Sequence, residues 1–444
     1  MTDVRPPVPS GRSSGRSTTP SRARRKRLVF YRRLLRRAAA TGAASVAKTD
    51  LAGRKFLLVS VPFGPFGKVL AAELEARGAT VSRMIFNVGD ACYWRRPGGI
   101  IFKEPNEAWP ARLMALAPNY TDLVVFGEGG PYNQTVLQAA DRLPARLWVL
   151  ENGYFRPDWI TVEEDGVNAS SRLPRHRGGY DQAIDTPTPR LVGRILPHHV
   201  INISLHHAAQ MFFGWLYPKY RAPYTQSTWD QFFGHINRYM RLRLRSPGDC
   251  DAGALASKGP FFIACLQREG DAQLLRYSSF ADNTAFLSAV MTSFARHAPM
   301  DARLVVKNHP LDPGVVNLEH ITRCLAVEHG LAQRVDFIDG GNLAQLCRLA
   351  KGMVVNNSSA ALSAIGFHTP VKVLGEAFFD FDGLTDQKPM DAFWREPAAP
   401  EPELFARFRS QVIARTQVNG NYHQPDAMGW TARGIADMFA RRQP

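Results

Sequence analysis

Leu304-Val305-Val306-Lys307-Asn308-His309-Pro310 is an apolar run that ends abruptly in an ammonium, an amide, an imidazole and a proline. Three consecutive branched aliphatic residues favour a buried strand, and Pro310 stops it because proline has no N–H to give a ladder. Lys307 and His309 therefore arrive together at a strand's C-terminal end. Similar runs surround this one: Phe261–Leu266, Val335–Ile338, Gly352–Asn356 and Val371–Leu374, separated by helix-length segments. That alternation predicts βαβ units and a parallel sheet, whose ligand sites lie beyond the carboxyl ends of the strands.

The same rhythm opens the chain's first half. Phe56–Val61 reads as a strand ending in a turn rich in Pro and Gly (Pro62, Gly64, Pro65, Gly67), followed by a helical stretch that Gly78 closes. Further strands are expected near Val81–Phe86, over Asp122–Phe126 and over Leu147–Leu150. The last two run into Gly127-Glu128-Gly129-Gly130 and Glu151-Asn152-Gly153-Tyr154. Residues 157–255 are less regular, with helices expected around 200–245 and a linker over Ser246–Gly259. The predicted architecture is α/β: two Rossmann-like domains, residues 51–255 and 256–444, facing a central cleft as in the GT-B fold, the last helix free to cross back. Periodicity alone fits some epimerases and binding proteins equally well.

The 444 residues are 45% hydrophobic, enough for two cores. No run reaches the roughly 18 apolar residues of a membrane span, and no apolar signal segment follows the N-terminus, so the expected location is cytoplasmic. Five scattered cysteines form no metal-ligand or disulfide pattern. The net charge of +16 is concentrated in residues 1–50, where thirteen Lys/Arg face two Asp for a net of +11. This basic tail is expected to be disordered over 1–21. Over Arg22–Ala40, apolar residues such as Leu28 and Tyr31 interleave with arginine pairs. A surface helix on anionic lipid, a solvated tail and a nucleic-acid arm all fit such a run. With most of the charge outside the folded body, a nucleic-acid partner is not expected.

A lysine beside an imidazole at a strand end suits a phosphate leaving group, by point charge and by hydrogen-bond or proton donation. Further on, Asn356-Asn357-Ser358-Ser359 precedes a helical stretch, so Ser358 or Ser359 would cap it and present hydroxyl and N–H groups to an anion. Simple capping explains the serines as well; the two motifs on neighbouring strands of one domain favour a nucleotide-phosphate site. Glu151 follows a strand directly, either as a general base or as a partner of Arg156. Asp271, in Gln267-Arg268-Glu269-Gly270-Asp271, offers a second cleft carboxylate from the other domain. Two carboxylates are what sugar transfer uses: one as acid or base, one as nucleophile or cation stabiliser. The pairs His198-His199 and His206-His207 have no companion carboxylate cluster, and no metal is expected.

Taken in order, these stretches resemble the capsule polysaccharide biosynthesis/export family, in its bacterial β-Kdo transferase branch of the KpsS/LipB type. The resemblance spans roughly residues 55–390. It is carried by Asn87-Val88-Gly89-Asp90, Glu151 through Thr161, Gly166-Val167-Asn168, Leu266-Gln267 with Asp271, Lys307-Asn308-His309-Pro310, Asn357-Ser358-Ser359, and Gly375 through Thr385. It implies a GT-B enzyme that uses CMP-Kdo to place Kdo on a phosphatidylglycerol-type lipid, starting the capsule linker at the inner membrane. By the same resemblance His309 and Lys307 handle the CMP phosphate, with Ser358, Ser359, Asn357 and Gln267 in the donor site. Glu151 would be the acid/base, Asp271 the attacking carboxylate of a retaining transfer, and Asp90, Arg156 and Asn168 cleft or acceptor residues. CMP leaves with one phosphate, which a Lys/His/Ser set neutralises without metal. Asn152 and Ala169 depart from the family pattern, where a second acidic residue and a glycine are usual. A transferase for another CMP-nonulosonic acid, or a non-catalytic export or assembly partner, is the alternative.

Overall fold

The computed structural model describes residues 49–223, 227–244 and 250–441. The basic tail, and the expectations placed on it, lie outside them. Twelve strands are described: β1 (Lys55–Leu58), β2 (Thr80–Ile85), β3 (Gly99–Ile101), β4 (Asp122–Phe126), β5 (Arg146–Asn152), β6 (Trp159–Glu164), β7 (Phe261–Cys265), β8 (Arg303–Lys307), β9 (Val335–Ile338), β10 (Gly352–Val355), β11 (Val371–Val373) and β12 (Gln417–Asn419). They form two sheets, ordered β12-β6-β5-β4-β1-β2-β3 and β11-β10-β7-β8-β9. Within each, the first five strands run third-second-first-fourth-fifth, and all five are parallel. These are two doubly wound Rossmann-like units, and a cavity lined from both lies between them. The architecture is GT-B.

One expectation fails on strand order. The Lys307/His309 and Ser358/Ser359 loops follow β8 and β10, which are not neighbours, because β7 lies between them. The chain begins each sheet in the middle, winds outward on one side and then reverses. Cys265 pairs with Lys307 on one side and Val355 on the other, so those flanking Cα atoms stand about 10 Å apart. A second difference lies in the expected linker. Within Ser246–Gly259, Asp251 caps a short helix, Ala252–Ser257, whose Leu255 is buried in the second sheet's core. The Ala-Leu-Ala content outweighs the glycine.

Local rules account for the elements that frame the cleft. Helix Phe66–Ala76 buries Phe66, Leu70, Ala71 and Leu74 along one face, and Gly78 ends it at φ +91°. Strands β6 and β12, absent from the sequence reading, extend the first sheet beyond β5, with β6 antiparallel to β5 and β12 antiparallel to β6. The C-terminal helix Pro425–Arg441 crosses back onto that sheet. Its Phe439 ring lies 5.4 Å from Phe56 and 4.5 Å from Trp148. Arg54 ties this helix to β4 by binding both Asp122 and the Phe439 carbonyl. Truncating Phe439 to alanine would cost about 3–5 kcal/mol, typical of an aromatic removed from a packed core.

Candidate active site

Glu151 is the penultimate residue of β5, and the turn after the strand fixes the carboxyl. Gly153 packs so tightly that an added Cβ would lie 2.0 Å from the Trp159 carbonyl oxygen, which only glycine tolerates. The Tyr422 hydroxyl donates to the Glu151 carbonyl at 3.0 Å. On the side chain, Oε1 accepts from the Asn152 N–H at 2.7 Å and from its Nδ2 at 3.1 Å. Opposite stands Gly127, at φ +69°, where a Cβ would come 3.1 Å from Glu151 Oε2. Burial pushes the Glu151 pKa up to about 7; the Asn152 N–H and Arg156 oppose this, while Asp271 and Glu128 add to it.

Glu151 lines a cavity of about 500 Å³ above the switch point between β1 and β4. Its N-terminal wall includes Ser60, Asp90, Glu128 and Tyr220, and its C-terminal wall Arg268, Asp271 and Gln273. Asp271 Oδ1 accepts from the Gln273 N–H at 2.9 Å, capping helix Ala272–Arg276. Burial raises the Asp271 pKa, against the pull of that N–H and of Arg268 and Arg156. Arg156 interacts electrostatically with both Glu151 and Asp271; it is exposed and does not itself line the cavity. The two expected carboxylates thus come together, one from each lobe.

Asp90 contributes a different kind of acid. Its carboxylate accepts from Arg83 at 2.8 Å and from Asn87 Nδ2 at 2.9 Å, so it is an anchored wall group. Asn168, at φ +53°, donates its N–H to the Tyr154 hydroxyl, which in turn donates to Glu163. This places Asn168 on the loop that meets the second lobe, where Ser170 and the Tyr277 hydroxyl are hydrogen-bonded.

The Lys307–Pro310 loop forms a cationic corner outside the cavity wall. His309 Nδ1 accepts from the Leu311 N–H at 3.1 Å, so a neutral ring carries its proton on Nε2. Burial first, then Arg156, Arg268, Lys307 and Arg238, hold the His309 pKa down to about 3. Lys307 is 8% exposed, and its ammonium donates to the Gly340 carbonyl at 2.8 Å. Arg238, on helix Thr228–Arg243, pairs with Asp339 and donates to the carbonyls of His309, Pro310 and Asp312. It clamps the loop that carries the histidine.

Between the two donor loops the polar side chains hold one another. Gln267 Nε2 donates to Asn357 Oδ1 at 2.7 Å, and Gln267 Oε1 accepts from Asn356 at 3.1 Å. Asn357 Nδ2 donates to the carbonyls of Gln273 and Tyr277. Gln267 and Asn357 therefore brace the loop that presents Asp271. Ser358 Oγ accepts from the Ala360 N–H at 3.3 Å, and Ser359 occupies the cap position of helix Ala360–Gly366 without a side-chain cap bond. Neither serine lines the cavity.

Sequence reasoning missed two residues here. Glu128 is buried, accepting from the Val167 N–H at 3.0 Å and from Gln273 Nε2 at 3.0 Å across the lobes. It sits two residues past β4, and the strand-end position that singled out Glu151 was the signal left unused. Arg238 carried no such signal, since its ion-pair partner lies 101 residues away.

Comparison with known proteins agrees with this order of motifs. The family profile described as capsule polysaccharide biosynthesis protein matches residues 121–423. The capsule polysaccharide export protein KpsS of Escherichia coli is 33% identical over 389 residues, covering 84% of this chain and 98% of that one. The capsule polysaccharide modification protein LipB of Neisseria meningitidis serogroup A is 33% identical over 83% of this chain and 91% of its own. Among solved structures, the β-Kdo 2,7 transferase of KpsC from Thermosulfurimonas dismutans aligns with a TM-score of 0.39 at 13% identity, over 88% of this chain and 100% of that one. By profile and by curated relatives together, the chain belongs to the capsule polysaccharide biosynthesis protein family.

Proposed function

We propose that this chain is a retaining glycosyltransferase that moves Kdo from CMP-Kdo to a phosphatidylglycerol-type lipid, on the inner face of the bacterial membrane. The observation that carries the reading is the pair of carboxyls in one cavity: Glu151, with a pKa of about 7, and Asp271 from the opposite lobe. Family membership and the motif resemblance support the donor and acceptor classes.

In the proposed first step Asp271 Oδ attacks the anomeric carbon of Kdo. The bond from that carbon to the phosphate oxygen breaks, and its electron pair leaves with CMP. His309 and Lys307 receive the phosphate charge, helped by Arg156 and Arg268. In the second step the acceptor hydroxyl attacks the same carbon, the ester bond to Asp271 breaks and regenerates the carboxylate, and Glu151 takes the hydroxyl proton. Two inversions leave the configuration retained. A pKa near the working pH is what such a base requires. Gln267, Asn357, Ser358 and Ser359 act by holding the donor loops in place. The chemistry runs without metal.

The test combines purified protein, CMP-Kdo made in situ and a fluorescent phosphatidylglycerol-type acceptor, read by mass. A product one Kdo heavier supports the reading. No product with CMP-Kdo, but product with CMP-sialic acid, would reassign the donor.

A further inference from the structure

Two helices of the chain are built inside out. On Thr228–Arg243 the buried side chains are polar: Gln231 is 1% and Arg238 5% exposed. Its apolar residues, Trp229, Phe232, Phe233, Ile236 and Met240, fall at helical spacing on the opposite side, and all are exposed. Helix Leu196–Phe213 repeats the pattern. Its buried residue is His206, whose ring lies against Gly89 of the first lobe, while Ile201, Leu205 and Phe212 face outward and Trp215 follows at 72% exposure. The helices touch each other; one packs on the first lobe, and the other, through Gly234 and Arg238, on the second. An apolar face of this size in contact with water marks a binding surface.

Charge and position identify what covers it. From Arg190 to Arg245 the sequence holds eight Lys/Arg and one carboxylate, Asp230. Lys219, Arg221 and Arg243 are exposed beside the apolar residues. Tryptophan and tyrosine next to aliphatic residues, ringed by cations with almost no acids, is the composition that settles in the headgroup layer of an anionic bilayer. The face is also continuous with the cleft, since Tyr220, Ala222 and Pro223, between the two helices, line the cavity.

We propose that these two helices are the protein's docking face for an anionic lipid bilayer, and that docking brings the cavity mouth to an acceptor still seated in the membrane. The assignment rests on the lipid-acceptor reading above and shifts membrane contact from the basic tail to the folded body.

The test uses full-length protein in three forms: wild type; Phe212→Ser/Trp215→Ser/Phe233→Ser; and a tail variant with Arg24, Arg25, Arg32 and Arg33 changed to Gln. Each is measured for sedimentation with phosphatidylcholine vesicles with and without phosphatidylglycerol, for transfer to a short-chain water-soluble acceptor, for melting temperature and for oligomeric state. The face variant should lose about tenfold or more in affinity for anionic vesicles, while its melting temperature and transfer to the soluble acceptor stay at wild-type level. Wild-type binding should require phosphatidylglycerol and weaken with salt. Unchanged vesicle binding by the face variant, or binding lost only in the tail variant, overturns the proposal. So does a wild-type dimer that ignores vesicles and that the face variant splits, since the face would then be a subunit interface. If vesicle binding follows the face but the wild type transfers nothing to the soluble acceptor, the transferase reading fails and the docking face stands.

Discussion

The Glu151 turn and the His309 loop belong to opposite lobes, and burial acts on them in opposite senses. It lifts the carboxyl to about 7 and presses the imidazole to about 3, so each is driven towards its uncharged form. Their neighbours then separate them. Glu151 has the Asn152 N–H and Arg156, which favour its ionised form, set against Asp271 and Glu128, which keep a proton on; His309 has only cations, Arg156, Arg268, Lys307 and Arg238, which keep one off. On the proposed reading the first corner exchanges protons at working pH, and the second, a neutral donor among cations, receives an anion. Under the proposed chemistry the acid/base corner belongs to the acceptor and the cationic corner to the leaving phosphate.

The contrast can be broken by substitution. Glu151→Gln and Asp271→Asn should each lower kcat about a thousandfold, within the range for removal of a general base or a nucleophile. Steady-state transfer with each variant checks this. His309→Ala should cost less, about a hundredfold, and should leave vesicle binding untouched; an equal or larger loss than at Glu151 would erase the distinction between the corners. The pH profile sharpens the contrast. Glu151 must be ionised to accept the acceptor's proton, so the rate should rise with pH through an apparent pKa near 7. Arg156→Gln removes a cation that favours the ionised form, and should move that limb to higher pH.

Stability gives a smaller effect. The folded chain keeps the Glu151 proton up to about pH 7, whereas an unfolded glutamate releases it near its ordinary value of about 4.5. More protons are then bound to the folded state between those values, so stability falls as pH rises through that window. Glu151→Gln should remove this fall and be more stable than wild type by about 3 kcal/mol at pH 8, with little difference at pH 4, as measured by denaturant melts. The smallest effect should be that of EDTA: transfer unchanged within error.

Much of this was legible in the sequence, for identifiable reasons. Strands β4, β8 and β9 fall where the apolar runs place them, because each run has a hard stop or a charged edge. Glu151 and Asp271 were readable as cleft carboxylates because each stands at or beyond the carboxyl end of a parallel strand, although Glu269 in the same loop as Asp271 turns to Asn283 instead. What failed to show was everything fixed by long-range pairing. Sequence names the loops at strand ends but not the order of the strands, so β7 between the Lys307 and Ser358 loops was invisible. The Lys307 bond to Gly340, the Gln267–Asn357 brace and the Arg238 clamp all join residues far apart in the chain. β12, at three residues, is too short to stand out, and β6 closes on Glu163-Glu164 in a stretch otherwise crowded with polar and proline residues.

The division of labour between the two carboxyls is tested most directly by intact-protein and peptide mass spectrometry. Glu151→Gln protein is incubated with CMP-Kdo and no acceptor, so that the first step proceeds and the second lacks its base. The account predicts a protein heavier by one Kdo, with the added mass on the peptide carrying Asp271. Release of CMP without any adduct, or an adduct that persists in the Asp271→Asn/Glu151→Gln double variant, would contradict it.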